Sequence, residues 1–430
     1  MPYSIFTVVT RILPSKLSVL KSLLNDIGLD PANNPLLPLA KLESLHFASL
    51  TIFEETSCPY LVFEHNVDGF TTVYLTDLVS KLAPGLHEIY RNCADYRASD
   101  SSAKDTILMF LKDHIVHPSA YHIGTPGRSQ LRINTEQKLH NLIEEHLDSQ
   151  TEWSNLESLS KSIHESVNQH SNDWCVKIQP RIDRFEWFYA RRRTWLLLAL
   201  ILLLGYTLIQ NYGLIWIPFA ALAVSSFVIL WSAILWHKNA TDKFVPSQIR
   251  HEHIQQISVR EDAATFVQNH FANVIDVKPG WFRRWNLRLV FLIASLTTPW
   301  SDKGELSGIP SIHFAHWALI DGGKKLLFLS NYDGSWENYL DDFIDKASVG
   351  LTGIWSNTVD FPPTKHYTDE GSRNGPLFKQ YVRDRQSYSP VWYSAYPRLS
   401  VQNIDRNTEI AQGFAECPAG KELKNWFQKL

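Results

Sequence analysis

One set of motifs occurs twice along the chain, in the same order and with almost the same spacing. Residues 45–48 (LHFA) recur as residues 312–315 (IHFA), and residues 63–69 (FEHNVDG) recur as residues 328–334 (FLSNYDG). The spacing differs only at the polar loop between these motifs, where the first copy is longer, and a β-hairpin tolerates such a change. The sequence therefore predicts two copies of one domain rather than a solenoid of many short repeats.

Each copy shows the same succession of patterns: strand, helix, strand, strand, helix, and then a further helix and strand. In the first copy, strand-like runs cover residues 3–9, 46–53 and 60–67, and apolar residues at helical spacing cover 16–27. This succession is that of the split βαβ arrangement of a ferredoxin-like fold. We therefore predict the α+β class, with two ferredoxin-like repeats that pack their sheets together as an intramolecular α+β barrel.

The predicted domain boundaries follow from this duplication. The two closing strands are matched as residues 118–121 with residues 390–393. Residues 134–173 contain neither proline nor glycine and carry apolar residues among many charges, which predicts a helical connector. The predicted units are residues 1–133 for repeat one, 134–190 for the connector, 191–238 for a membrane segment, 265–412 for repeat two and 413–430 for a C-terminal tail.

The membrane segment is recognised by the absence of charge. No Asp, Glu, Lys or Arg occurs between Thr194 and Trp236, and a membrane-spanning helix needs roughly 20 apolar residues. A polar break at residues 210–213 predicts a helical hairpin that crosses the bilayer twice, and the alternative is a buried pair of core helices. Basic residues flank both ends, which predicts that both repeats face the cytoplasm; they are Arg191, Arg192, Arg193, His237, Lys238 and Lys243.

A second contact with lipid is predicted around residues 281–296. Arg283, Arg284 and Arg288 there fall near one side of a helix, and Trp281, Trp285, Leu289 and Leu292 lie together elsewhere on it. Such a helix suits the interface of a bilayer with anionic lipid. An ordinary helix of the fold, with its arginines paired to carboxylates, is the alternative and stays open.

Composition excludes several classes of function. The net charge of −3 and the pI near 6.6 argue against a general nucleic-acid binder, which carries a basic surplus. The four cysteines lack metal-type spacing and are interpreted as reduced thiols, with a single disulfide left open; they are Cys58, Cys93, Cys175 and Cys417. No P-loop, dinucleotide fingerprint, nucleophile elbow or zinc-protease motif is present.

The repeated polar residues are the candidates for chemistry. On regular strands, His46 would share the apolar face of Ala48, Leu50 and Ile52, and His313 would share that of Ala315, Trp317 and Leu319. A histidine there is either a satisfied core residue or part of a cavity. By the same alternation, His313 and His316 would lie on opposite faces, and no histidine cluster has a metal signature, so no metal is predicted.

Asp68 and Asp333 end the third strand of each copy, directly before a glycine and a helix. A carboxylate at this position either caps the helix or serves as an acid beside a histidine of the neighbouring strand. We therefore predict His313, Asp333, His46 and Asp68 as candidate catalytic residues. The predicted substrate-binding residues of the same cavity are Trp317, Tyr332, Asn331 and Tyr393.

The repeated motifs resemble those of known protein families. The repeated Ser-[Leu/Ile]-His-Phe-Ala and Phe-x-x-Asn-x-Asp-Gly motifs, with residues 391–397 (VWYSAYP), resemble a group of bacterial membrane-associated proteins with duplicated ferredoxin-like domains. More remotely, the plan is similar to dye-decolorising peroxidases, whose Asp-Gly motif supplies a haem-side acid. That resemblance implies haem as a possible cofactor and matches the acid to Asp68 and Asp333, although His65 and Ser330 replace the leading glycine of the motif.

Two functions of different classes are left open by the sequence. The first is a membrane-anchored enzyme, an oxidoreductase of peroxidase-like chemistry or a related activity, that acts on a lipophilic small molecule. The second is a non-catalytic membrane-tethered binding or scaffold module. A cavity with converging polar groups favours the enzyme, and a solid interface between the repeats favours the module. In both cases the predicted partner is a lipid bilayer, not a nucleic acid.

Overall fold

The computed structural model describes residues 3–54, 58–149, 155–170, 191–245, 251–263, 267–297, 306–365, 367 and 369–430. It is a mixed α+β structure with antiparallel sheets, which confirms the predicted class. Cys175 and residues 150–154 and 171–190 of the predicted connector lie outside the described residues. The strands are β1 (Tyr3–Arg11), β2 (Leu45–Phe53), β3 (Tyr60–Asp68), β4 (Ile115–Val116), β5 (Ala120–Ile123), β6 (Gln268–Asp276), β7 (Ile312–Ile320), β8 (Lys325–Asp333), β9 (Thr364–Lys365), β10 (Asp369–Glu370) and β11 (Val391–Ser394).

Several helices cover the outer faces of two sheets, and others form a separate apolar cluster. Each outer layer buries an apolar helix stripe against one sheet, as amphipathic helices must. The helices are α1 (Leu17–Gly28), α2 (Thr71–Tyr90), α3 (Lys104–Asp113), α4 (Gln130–Ser149), α5 (Leu156–His170), α6 (Arg192–Tyr212), α7 (Trp216–Thr241), α8 (His251–Glu261), α9 (Trp281–Thr297), α10 (Trp336–Trp355), α11 (Gly375–Asp384), α12 (Val401–Glu416) and α13 (Gly420–Phe427).

Each large sheet takes one strand from the other half of the chain. The first sheet has the order β11-β2-β3-β1-β4, and the second has the order β5-β7-β8-β6. Strand β11 pairs with β2, and β5 pairs with β7. Because each closing strand crosses to the sheet of the other half, neither sheet is assembled from one continuous part of the chain.

The register of these exchanged strands corrects the matching of the closing segments. Trp392 lies opposite Ser49, and Tyr121 lies opposite His316. Ser49 and His316 occupy the same place after the repeated His-Phe-Ala motif. Tyr121 therefore corresponds to Trp392, and the predicted match of residues 118–121 with 390–393 is wrong by one residue.

The inner faces of the two sheets pack against each other. The rings of Phe47 in β2 and Phe314 in β7 lie 5.7 Å apart. Farther along the strands, Phe53 and Val62 of the first sheet share an apolar cluster with Ala272 and other residues of the second. The space between the sheets is thus filled by side chains of both halves.

The predicted connector is helical where it is described. Helices α4 and α5 bury Leu139, Ile143 and Ile163 in a cluster with Phe414 of α12 and Trp426 of α13. Sequence predicted the helices from their spacing of apolar residues, and the structure shows what covers that face. The C-terminal tail is therefore part of a helical subdomain built on the connector.

Residues Thr194–Thr241 form a helical segment that is long and apolar enough to cross a membrane. The segment consists of α6 and α7, joined by a short 3-10 turn at Gly213–Ile215. The most apolar stretch of it buries none of its residues within the protein. The alternative prediction of a buried pair of core helices is therefore wrong, because a core helix covers its apolar side chains with protein.

Both motif histidines lie at β-bulges, which the sequence analysis did not predict. The pairing of β2 with β3 changes register between Leu45 and Phe47, and the pairing of β7 with β8 changes register between Ile312 and Phe314. An extra residue in one strand interrupts the alternation of side chains between the two faces.

The bulges overturn two predictions about faces. Ala48 and Leu50 pack among the outer helices, whereas His46 lies against the rings of Phe314 and Tyr396. The prediction that His46 shares the face of Ala48, Leu50 and Ile52, and that His313 shares the face of Ala315, Trp317 and Leu319, is wrong. His313 and His316 both face the first sheet, near Phe47 and Glu64 respectively.

Candidate functional site

The first candidate pair joins the bulge of β2 to the end of β3. The Nε2 atom of His46 lies 3.0 Å from Oδ1 of Asp68. The Nδ1 atom of the same ring lies 2.8 Å from the hydroxyl of Tyr396, which belongs to the other half of the chain. With its hydrogen on Nε2, facing the carboxylate, His46 accepts a hydrogen bond from Tyr396 through Nδ1.

The second pair has the same arrangement in β7 and β8. The Nε2 atom of His313 donates a hydrogen bond of 2.7 Å to Oδ1 of Asp333. That bond places the hydrogen on Nε2 and leaves a lone pair on Nδ1. Among the described residues this buried Nδ1 has no hydrogen-bond partner. The two pairs occupy equivalent places, but only the second has hydrogen-bond geometry between Nε2 and the carboxylate. Only the first carries a tyrosine on its outer nitrogen.

Each aspartate also caps a helix that is remote in sequence. The second carboxylate oxygen of Asp68 accepts from the backbone amide of Gln130, the first residue of α4, at 2.8 Å. Asp333 accepts in the same way from Val401, the first residue of α12, at 2.8 Å. Each carboxylate oxygen thus satisfies a backbone amide that has no partner within its helix. Both functions considered for these residues, capping and pairing with histidine, therefore occur together, although neither aspartate caps the helix that follows it.

Aromatic rings close the space around both histidines. His46 and His313 have no solvent exposure. The ring of Phe47 lies 5.2 Å from that of His313, and the ring of Phe314 lies 5.4 Å from that of His46. Tyr396 lies within 6.0 Å of both imidazoles. A substrate has no access to these groups in this conformation.

The predicted substrate-binding residues do not gather around the pairs. Trp317 and Tyr332 lie on the outer face of the second sheet, under the helices, and Tyr393 lies on the outer face of the first. Only Asn331 points into the space between the sheets, where it donates to Glu64. One cavity lined by all the predicted residues is therefore not formed.

The residues that the peroxidase resemblance assigns to haem do not fit that group. Asp333 is bound to His313 and to the amide of Val401. The ring of Phe47 occupies the adjacent space. A porphyrin could not approach either Asp-His pair without displacing core rings, so no step of a mechanism is assigned to haem. No group of three or more metal-ligating residues was found among the described residues either.

Loss of Asp333 is expected to destabilise the protein strongly. Asp333→Ala leaves the Nε2 hydrogen of His313 and the amide of Val401 without an acceptor, at a cost of about 2–4 kcal/mol. The free energy of unfolding, measured by urea titration in detergent, checks this. Asp369→Ala is the control, because Asp369 is exposed and lies 3.5 Å from Arg373, and such a surface pair contributes about 0–1 kcal/mol. Equal stability of the two variants would contradict the structural role of Asp333.

A buried carboxylate, Glu64, lies at the centre of the space between the sheets. Its side chain is fully buried. Oε1 accepts from the amides of Asn66, at 2.8 Å, and Asn331, at 3.1 Å. Oε2 accepts from the hydroxyl of Ser49 at 2.9 Å. Three neutral donors, which come from both halves of the chain, thus bind the carboxylate of Glu64. None of these contacts involves a lysine or an arginine.

Two histidines of the second half face this carboxylate. His270 approaches Glu64 to 3.7 Å and His316 approaches it to 3.9 Å, in each case through Nδ1. Burial raises the pKa of Glu64 from 4.5 to about 7, and the hydrogen bonds partly oppose that increase. Burial lowers the pKa of His270 and of His316 to about 3. The two imidazoles are therefore neutral at pH 7, and Glu64 titrates near that pH.

The sequence analysis missed Glu64 and His270 because it searched for residues present in both copies. Leu329 occupies the position of Glu64 in the second copy, and Ile5 occupies that of His270 in the first. The available signal was a single glutamate inside the apolar strand YLVFEHNV, where an ionisable residue on a buried face needs an explanation. His316 was considered, but a regular strand placed it on the face opposite to His313, and only the bulge at His313 brings both to the inner face.

Comparisons with protein-family models, with curated proteins and with solved structures found no significant match for this chain.

Proposed function

We propose that this protein is a membrane-tethered, non-catalytic binding module. The observation that carries the proposal is the apolar segment Thr194–Thr241, which exposes its side chains while its ends are attached to the α+β body. An exposed apolar surface of this length is stable only in an apolar surrounding. The closed packing around the two Asp-His pairs favours a binding module over an enzyme that acts at those pairs.

Attachment of both ends to one helix supports a hairpin. At one end, the hydroxyl of Thr194 contacts the carbonyl of Leu296 in α9 at 3.5 Å. At the other end, the indole of Trp231 donates to Asn286 of α9 at 3.0 Å. The 48 residues of the segment would extend about 72 Å as one straight helix, whereas α9 is only about 25 Å long. We infer that the chain reverses near Gly213 and crosses the bilayer twice.

A polar cluster connects the end of the segment to the body. Arg283 donates to Asn239 at 2.8 Å and to Asp242 at 2.5 Å. Lys278 donates to the same carboxylate at 2.6 Å. Arg283 is almost fully buried. The pairing of Arg283 with Asp242 agrees with the alternative of an ordinary helix whose arginines meet carboxylates, whereas Arg288 is exposed.

The outer stripe of α9 supports contact with lipid headgroups. Trp281, Trp285, Arg288 and Leu292 are exposed, and their spacing places them on one side of the helix. The same helix packs on the membrane segment through Phe282, whose ring lies 4.5 Å from that of Trp231. Tryptophan and arginine next to an apolar segment suit the interfacial region of a bilayer. The stripe is thus proposed to lie on the membrane surface, with both halves of the body in the cytoplasm.

The body itself is proposed to be a duplicated ferredoxin-like unit. The support is the equal placement of strands, bulges and Asp-capped helices in the two halves. Exchange of β5 and β11 ties the copies together, because each Asp-His pair lies beside a strand contributed by the other half. Such a body offers a rigid platform whose binding surface is held at a constant distance from the bilayer.

Photocrosslinking to lipid tests the tether and the stripe together. Benzoylphenylalanine is placed in full-length protein in membranes at one of three exposed positions: Leu204 in the segment, Trp285 in the stripe, or Leu131 in α4 as the matched control. Lipid adducts, detected by mass spectrometry, are expected at positions 204 and 285 and not at 131. Absence of adducts at 204 would overturn the tether, and their absence at 285 alone would remove only the contact of α9 with lipid.

A further inference from the structure

A small cavity lies at the edge of the space between the sheets. It is formed where α8, β6 and the residues before β11 meet, and its volume is about 20 Å³. That is more than one ordered water requires. Its walls include Arg260, His270, Tyr388 and Trp392. The cavity is separate from both Asp-His pairs, because none of their residues lines it.

The hydrogen bonds behind the cavity determine which nitrogen of His270 carries the hydrogen. The indole of Trp392 can only donate, and it donates to Oδ1 of Asn331 at 2.9 Å. This orients the amide of Asn331, so the contact of 3.1 Å between the same Oδ1 and Nδ1 of His270 requires a hydrogen on Nδ1. Nε2 of the neutral ring is therefore an acceptor.

This acceptor has no partner among the described residues. The side chain of His270 is only 5% exposed. His270 lines the cavity, and its Nδ1 faces Asn331 and Glu64 in the interior, so the geometry of the ring directs Nε2 away from these two groups and toward the cavity. A buried acceptor without a donor costs free energy. The cavity therefore presents a site for a group that can donate a hydrogen bond.

A positive charge lies beside this acceptor. The guanidinium of Arg260 donates to the backbone carbonyl of Ser389 and lies 5.5 Å from the ring centres of Tyr388 and Trp392. Among the described residues, the side chain of Arg260 interacts with that of Tyr388 and forms no ion pair with a carboxylate. Burial lowers the pKa of Arg260, as expected for a cation removed from water.

One carboxylate also borders the cavity, but its charge is compensated. Glu261 binds Arg383, with Oε2 at 2.7 Å from Nη2, and it accepts from Gln386 at 2.9 Å. The ion pair leaves Arg260 as the dominant charge at the cavity. A ligand that combines a negative oxygen with a hydroxyl group would satisfy both Arg260 and Nε2 of His270.

We propose that this cavity binds a small hydroxylated anion, of the size of bicarbonate or glycolate, with its negative oxygen on Arg260 and its hydroxyl donating to Nε2 of His270. The cavity volume excludes a nucleotide or a lipid from the inner part of the site. This inference goes beyond the proposed membrane attachment and does not depend on it.

Isothermal titration of the full-length protein in detergent, with glycolate and bicarbonate, tests the proposal. Acetate and chloride are the comparison ligands, because they carry the charge and lack the hydroxyl. Saturable binding of glycolate or bicarbonate is expected, with acetate and chloride weaker by about tenfold, the loss that one unpaired buried acceptor produces. Equal binding of all four ligands would overturn the role of His270.

Matched variants distinguish binding at this cavity from non-specific attraction of anions to any arginine of the protein. Arg260→Gln is expected to weaken glycolate binding by about tenfold or more. Arg385→Gln is the control, because Arg385 also lies on a tyrosine ring, that of Tyr381, but is paired with Asp360 outside this cavity; it is expected to bind as the unaltered protein does. His270→Phe is expected to remove the preference for glycolate over acetate. Absence of saturable binding of any ligand, or equal affinity of the Arg260 and Arg385 variants, would overturn the proposal.

Discussion

Replacing Gly124 by alanine is expected to destabilise the protein by about 3 kcal/mol or more, the range typical of severe steric conflict in a core. Gly124 follows β5, and its amide donates to the carbonyl of His313 at 2.8 Å. A Cβ atom at this position would lie 2.0 Å from the carbonyl oxygen of Ile312. Gly124 and Ile312 would collide through backbone positions next to and within paired strands. Neither backbone can therefore move away without breaking the pairing of β5 with β7.

The expected loss of stability would show that the pairing of β5 with β7, which joins the two halves of the chain, is needed for folding. Gly350→Ala is the control, since Gly350 lies within α10 and has open space around the position of a Cβ atom. Alanine there should leave stability unchanged or raise it by about 0.5–1 kcal/mol. Urea denaturation followed by circular dichroism measures both variants. A Gly124 variant as stable as the control would mean that β5 does not approach β7 in the folded protein.

Glu64→Gln is expected to stabilise the protein above pH 7 by up to about 3 kcal/mol, which is the free energy equivalent of a pKa raised from 4.5 to about 7. The glutamine has the shape of the protonated glutamate. Its oxygen can still accept from Asn66 and Asn331, and its amide can donate to Ser49. The variant therefore keeps the hydrogen bonds and removes the cost of burying a charge.

The pH dependence has a definite sign. Because the folded pKa of Glu64 lies above the unfolded value of 4.5, the native state binds more protons between pH 4.5 and about 7. Its contribution to stability therefore decreases as pH rises through this window and is constant above it. In Glu64→Gln this decrease should be absent. Unfolding free energies at pH 5, 6, 7 and 8 provide the measurement.

A second buried glutamate is the control for charge removal. Glu136 accepts from Arg132 at 2.6 Å and from Thr408 at 2.6 Å, so its charge is compensated by a cation. Glu136→Gln should lower stability at pH 8, because it leaves the guanidinium without its partner. If Glu64→Gln also lowered stability at pH 8, the carboxylate of Glu64 would be favourable as an ion, which would contradict the interpretation of its burial.

The candidate site was partly predictable, because polar residues that recur in both copies stand out in the sequence. His46, Asp68, His313 and Asp333 were identified from their recurrence, and the structure brings each histidine to its aspartate. The arrangement around them was not predictable. A bulge inserts one residue into a strand without a strong local signal, and it alone moves His46 and His313 from the outer face to the inner one.

The network around Glu64, in contrast, could not be predicted from the sequence. Its members come from β2, β3, β6, β7, β8 and β11, and the two halves of the network meet only because the two sheets pack face to face. No spacing along the chain links Glu64 with His270 or Trp392. Recurrence also worked against their detection, because Leu329 and Ile5 occupy the positions equivalent to Glu64 and His270 in the other copy.

The amino-acid pattern was sufficient for the α+β class, the positions of the main strands and the uncharged helical segment. These features depend on the periodicity of apolar residues and on the absence of charge, which are local properties. Tertiary structure decided which sheet each closing strand joins, which face each motif histidine occupies, and which buried ionisable groups meet. The exchange of strands and the meeting of buried ionisable groups depend on contacts between residues far apart along the chain, about which short-range preferences carry no information. The face of each motif histidine depends on a β-bulge between two neighbouring strands, which has no strong local signal.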